Sequence, residues 1–94
     1  MKELIGMEIE WNETVEISLS FTKVTNVRRE KNYYFVDAYR YKENKYGVKY
    51  YEYELIELDG SGRKRKVNSK IFEDEYKEGN IKLATYIPPK ELTL

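Results

Sequence analysis

The chain has 94 residues, of which 17 are Lys or Arg and 17 are Asp or Glu, with no His and no Cys, so its formal charge is zero. Zero charge excludes a uniformly cationic coat for DNA or an anionic membrane. The missing His and Cys exclude disulfides, thiolate zinc sites, thiol nucleophiles and the commonest general base.

No stretch approaches the ~18 apolar residues of a membrane span, and Met1-Lys2-Glu3 opens no apolar signal core, which predicts an intracellular, cytoplasmic protein away from membranes. Glu is abundant, Gln is absent and Lys outnumbers Arg. That bias fits a thermophile or an AT-rich genome, such as that of a phage, virus or other mobile element.

Along the chain the apolar period is two almost throughout, the signature of half-buried strands. Ile5, Met7, Ile9 and Trp11 alternate with polar residues, as do Val15, Ile17, Leu19 and Phe21, with a loop expected at Asn12-Glu13-Thr14 or, since that sets Glu10 opposite Glu16, a five-residue loop there. A second loop is expected at Glu30-Lys31-Asn32, pairing Val27 with Phe35 and placing Arg28 across from Tyr34. Tyr33 to Lys42 and Val48 to Leu58 read as strands joined by a loop at Glu43 to Gly47, with Asp37 opposite Tyr53 and Arg40 opposite Tyr50.

Glycine at Gly60-Ser61-Gly62 marks a further hairpin, into a strand from Arg63 to Phe72 that pairs Leu55 with Val67 and Glu57 with Arg65. Glu73-Asp74-Glu75-Tyr76 suits a single helical turn with Gly79 as its C-cap. Ile81 to Ile87 forms a last strand, stopped by Pro88-Pro89.

In this register odd-numbered residues face the core: Ile5, Met7, Ile9, Trp11, Val15, Ile17, Leu19, Phe21, Phe35, Tyr39, Tyr51, Leu55, Val67, Ile71, Ile81, Leu83 and Ile87. The expected fold is a single all-β domain over residues 1–94. It is an antiparallel meander of five to six strands, curled into an SH3-like or OB-like barrel or a bent sandwich, with at most a short helical turn near 72–78.

Even-numbered residues then face out, and they mix Val24, Tyr34, Val36, Tyr50, Ile56, Leu58, Phe72 and Tyr86 with cations. Tyr34 and Tyr50 beside Arg28, Arg40 and Lys42 form the kind of platform on which bases stack while cations follow phosphates. Arg63-Lys64-Arg65-Lys66 after the glycine turn adds a basic fingertip for phosphate. The same residues also suit surface cation–π decoration and a charged edge that resists sheet-to-sheet aggregation.

The acids gather at Glu8, Glu10, Glu13 and Glu16, and again at Glu73, Asp74, Glu75 and Glu78, without the spacing of a calcium loop, so no metal and no cofactor is expected. Asp37 is the one carboxylate on the expected inward face, where it reads as a hydrogen-bonded core acid. No Walker, Rossmann or nucleophile-elbow motif is present, which points away from an enzyme; Tyr, Lys, Arg and Glu leave open only a His-free nuclease.

The leading expectation is a non-catalytic nucleic-acid binder. The alternative is a protein-interaction module, such as a phage- or virus-encoded inhibitor of a host defence complex, using Glu73, Asp74, Glu75, Tyr76 and Glu78. A homodimer is compatible with either.

Overall fold

The chain runs from Glu8 to Leu19 as one strand, β1, and from Val24 to Glu43 as another, β2. β3 follows over Lys49–Glu57, β4 over Lys64–Asn68, the helix α1 over Ser69–Lys77 and β5 over Ile81–Leu83. The computed structural model describes residues 2–19 and 24–85, with the side chains of 3–15 and 27–85. The expected inward placements of Ile17, Leu19, Phe21 and Ile87, and the outward ones of Val24 and Tyr86, lie outside the described side chains.

All pairings are antiparallel, and the sheet order is β4-β3-β2-β1-β5. The sheet is all-β apart from α1 and a short 3-10 turn at Lys2–Leu4. It stays open, with β4 and β5 as its edges, so the architecture is a bent sandwich of five strands rather than a closed barrel.

Two expected loops are absent. Asn12-Glu13-Thr14 and Glu30-Lys31-Asn32 pair with each other inside a single long hairpin, Trp11 opposite Asn32 and Glu13 opposite Glu30. Val27 therefore meets Glu16, Phe35 meets Glu8, and Arg28 lies across from Val15 instead of Tyr34. The physical reason is that a three-residue turn and three residues of continuous strand both leave Trp11 and Val15 on one face, so side-chain parity does not separate them.

The odd-number rule holds for Ile9 and Trp11 on β1 and for Tyr53 and Leu55 on β3 but breaks on β2. Phe35 pairs with Ile56 and Val36 with Leu55, whereas Ala38 pairs with Glu54. Asp37 is the extra residue of a β-bulge, and one extra residue turns the rest of the strand over. Before the bulge the even residues Tyr34 and Val36 face the core; after it the odd residue Tyr39 does.

Tyr34 and Val36 are thus buried, and Phe35 lies half-buried on the opposite face. Asp37 itself is exposed, correcting its expected place inside. The β3–β4 register differs by two residues from expectation, Tyr53 meeting Val67 and Leu55 meeting Arg65. A two-residue shift keeps every side chain on its face while changing its partners.

The strand expected to run from Arg63 to Phe72 is only Lys64–Asn68, because Asn68 caps a helix: its side chain accepts the Lys70 N–H at 2.9 Å. At the far end Gly79, at φ 83°, donates to the Tyr76 carbonyl and Asn80 to that of Glu75. That double bond closes the helix by the Schellman pattern, which a left-handed glycine permits.

The helix lays Phe72 into the concave face of the sheet, stacked on Tyr53 at 4.3 Å and edge-on to Trp11 at 6.1 Å. Ile9, Leu55, Val67, Ile81 and Leu4 complete the core. Ile71, turned outward by the helical period, is 57% exposed; Ile5, Met7, Tyr51 and Leu83 also remain substantially exposed, against expectation.

Candidate nucleic-acid interface

The four-cation run after the glycine turn is divided among acids. Arg63 pairs with Glu57 at 3.0 Å and Asp59 at 3.5 Å, and Lys64 pairs with Glu54 at 3.3 Å. Arg65 lies on the concave face, because it is opposite Leu55, and there it meets Glu13 of β1. Lys66 alone of the four carries no ion pair among the described residues.

On a flat sheet three strand spacings, about 14 Å, would separate β4 from β1. Strong curling therefore accompanies the Arg65–Glu13 pair. This pair bridges the open side of the sheet where backbone pairing stops.

The cluster around it joins the buried Glu13 and Tyr34 to the half-buried Asn32 and Arg65. The Tyr34 hydroxyl donates to Glu13 Oε2 at 2.5 Å, Asn32 Nδ2 donates to the same oxygen at 2.7 Å, and Arg65 Nη1 donates to Tyr34 Oη at 2.9 Å. The guanidinium lies over the Trp11 ring at 4.7 Å and the Tyr34 ring at 5.7 Å.

Burial, and then the Glu13 carboxylate, push the Tyr34 phenol well above its ordinary range. Burial is the largest single influence on Arg65 and opposes its charge, but Glu13 and Tyr34 together outweigh it and raise the guanidinium further. Tyr34, expected outside as a stacking ring, is therefore a core residue with its hydroxyl engaged.

On the convex face the cations are interleaved with acids. Arg40 Nε and Lys64 Nζ both reach Glu54, at 3.0 and 3.3 Å, Lys42 reaches Glu52 at 3.8 Å, and Lys82 reaches Glu10 at 3.4 Å. The hydrogen bonds from Arg40 and then Lys64 hold the Glu54 carboxyl below its usual range. Arg40 is opposite Glu52 and Tyr50 opposite Lys42, two residues from the expected register, one of them contributed by the bulge. Arg28 is exposed far along the β1–β2 hairpin, away from this group.

Arg40, Lys42 and Tyr50 are nevertheless brought together, at the far end of the β2–β3 hairpin. Residues 40–49 hold four cations, Arg40, Lys42, Lys45 and Lys49, against the single acid Glu43. The side facing the concave sheet carries a run of tyrosines. Tyr39 and Tyr51 stack at 4.9 Å and 3°, Tyr41 meets Tyr51 edge-on at 5.4 Å, and Tyr39 contacts Tyr53 at 4.8 Å.

The loop between the strands is fixed by Asn44, whose Oδ1 accepts the N–H groups of Tyr46 and Val48 at 2.9 and 3.0 Å. Gly47, at φ 78°, donates to the Asn44 carbonyl and lets the chain reverse. This holds Tyr46 out in solvent, 77% exposed, with Lys45 Nζ 5.1 Å from its ring. Tyr41 and Tyr51 are 51% and 44% exposed.

Tyr41, Lys45, Tyr46 and Lys49 are absent from the site residues expected from the sequence, which predicts Tyr51 in the core. The density of Tyr and Lys between Tyr39 and Tyr51 was the available signal.

The second acidic run has a structural role in α1. Glu75 Oε2 accepts Asn80 Nδ2 at 2.5 Å, and Glu78 accepts it at 3.3 Å. Asp74 pairs with Lys70 at 3.8 Å, and Tyr76 packs against the core. Glu73 faces the core aromatics: burial first, and then its charge, raise the Tyr53 phenol. No helix among the described residues is long and apolar enough to cross a membrane. Comparison with family models, curated proteins and solved structures yields no match.

Proposed function

We propose that the chain is a non-catalytic nucleic-acid-binding module whose contact surface is the far end of the β2–β3 hairpin. The observation that carries this reading is the coincidence of exposed tyrosines with a local excess of cations in a molecule whose formal charge is zero overall. Aromatic rings offer stacking surface and Lys and Arg offer phosphate contacts, the two components of sequence-tolerant binding.

The hairpin is also rigid enough to present them. Asn44 orders the loop, and the Tyr39–Tyr51 stack ties the arm to Tyr53 and the core. The basic run at Arg63–Lys66 contributes less than its sequence suggests, since three of its four cations are held by Glu57, Asp59, Glu54 and Glu13.

Binding of a labelled mixed-sequence oligonucleotide, followed by anisotropy at low salt, tests the reading. Lys45→Ala combined with Lys49→Ala weakens binding at least about tenfold and flattens the salt dependence by ~0.7 per lost phosphate contact on a single strand. Absence of binding at low salt, or a double variant that binds like the parent, refutes it.

A further inference from the structure

The exposed rings distinguish between forms of nucleic acid. A duplex keeps its base faces inside its own stack and offers an approaching protein mainly phosphates and groove edges, whereas a single strand can splay its bases onto aromatic rings. Tyr46 and Tyr41 have open ring surface: Tyr46 projects from a loop fixed by Asn44, and Tyr41 has only the edge-on contact with Tyr51 among the described ring pairs.

The charge layout points the same way. Lys49 lies on the tyrosine-bearing side, since Glu43 and Lys49 are paired on the same face as Tyr41 and Tyr51, and Lys45 stands at the tip. Arg40 and Lys42 sit on the reverse side, each against a glutamate. The cationic strip is therefore as narrow as one hairpin end. On the tyrosine-bearing side Glu43 stands directly across from Lys49, so the strip has cations for one phosphate row and none for the second row of a duplex.

Resting on the nucleic-acid reading above, we infer that the ligand is single-stranded DNA or RNA, its bases stacked on Tyr41 and Tyr46 and its phosphates followed by Lys45 and Lys49. The ring faces, rather than the phenol hydroxyls, make the contact. Cations on the reverse of the arm still raise the local potential, being within the ~10 Å over which charge acts at moderate salt.

The test compares a labelled oligothymidylate with the same strand annealed to its complement, both titrated with the full chain at low salt. The single strand binds at least about tenfold more tightly, the scale of one stacked base. Tyr41→Ala with Tyr46→Ala removes that preference, Tyr41→Phe with Tyr46→Phe retains it, and circular dichroism reports an unchanged fold for both exposed pairs.

Equal or tighter binding of the duplex overturns the inference and leaves the nucleic-acid reading standing, as does a preference that survives the alanine pair. Binding of neither form overturns both.

Discussion

Glu13 shows how much one residue's environment decides. Its position in the chain is that of a strand residue pointing at the core, only 6% exposed, and its carboxylate collects Arg65, Tyr34 and Asn32. Removing one partner of a buried pair costs more than replacing the pair, because the orphaned charge and donors lose both water and partner. Glu13→Ala is therefore expected to lower unfolding free energy by about 2–3 kcal/mol, somewhat under a fully buried pair because the Arg65 side chain is 40% exposed. Glu13→Leu combined with Arg65→Met recovers at least half of that loss. Urea unfolding of the two variants decides the matter: equal losses in both would mean that the pair itself, not the orphaned Arg65, sets the cost.

At the scale of elements, the β2–β3 hairpin depends on a single backbone conformation at Gly47. A Cβ there meets only Glu43 Oε1 at 3.8 Å, an ordinary contact, so Gly47→Ala is limited by its positive φ and not by space. The expected cost is about 1–2 kcal/mol, visible as a lowered melting temperature with the sheet signal retained. A loss within experimental scatter would show that the loop reshapes freely.

The hairpin also illustrates what was legible in the sequence. Period-two alternation revealed the strands and glycines marked the turns at Gly47, Gly60 and Gly62, because those features act through neighbouring residues, whereas Asn12 and Asn32 suggested loops that are strand. The bulge at Asp37 was not legible, since an extra residue is defined by its partner strand and leaves no mark on its own. That one position moved Tyr34 and Val36 from the surface to the core and displaced the candidate site from Tyr34 toward Tyr41. The start of α1 was hidden for a related reason: Val67 and Ile71 continue a strand pattern and also fit one turn of helix.

For the whole molecule, balance between 17 cations and 17 acids holds only while the carboxylates are charged. Glu54 is held below its ordinary value of 4.5 by Arg40 and Lys64. A carboxyl with a lowered folded pKa adds stability that is fully present well above 4.5 and is lost as pH falls through the folded value. Glu54→Gln is accordingly expected to reduce the acid-induced loss of stability while lowering stability at neutral pH, as measured by unfolding across a pH series. Parallel curves for variant and parent would remove Glu54 from the acid response.

The rings from Tyr41 through Tyr51, Tyr39, Tyr53 and Phe72 to Trp11 follow one another at centroid separations of 4.3–6.1 Å. Trp11 is the sole tryptophan among ten tyrosines. Light absorbed by a tyrosine at the hairpin end is therefore delivered by resonance transfer toward one indole in the core, and the intensity of Trp11 emission excited through tyrosine carries a report from a surface it does not touch.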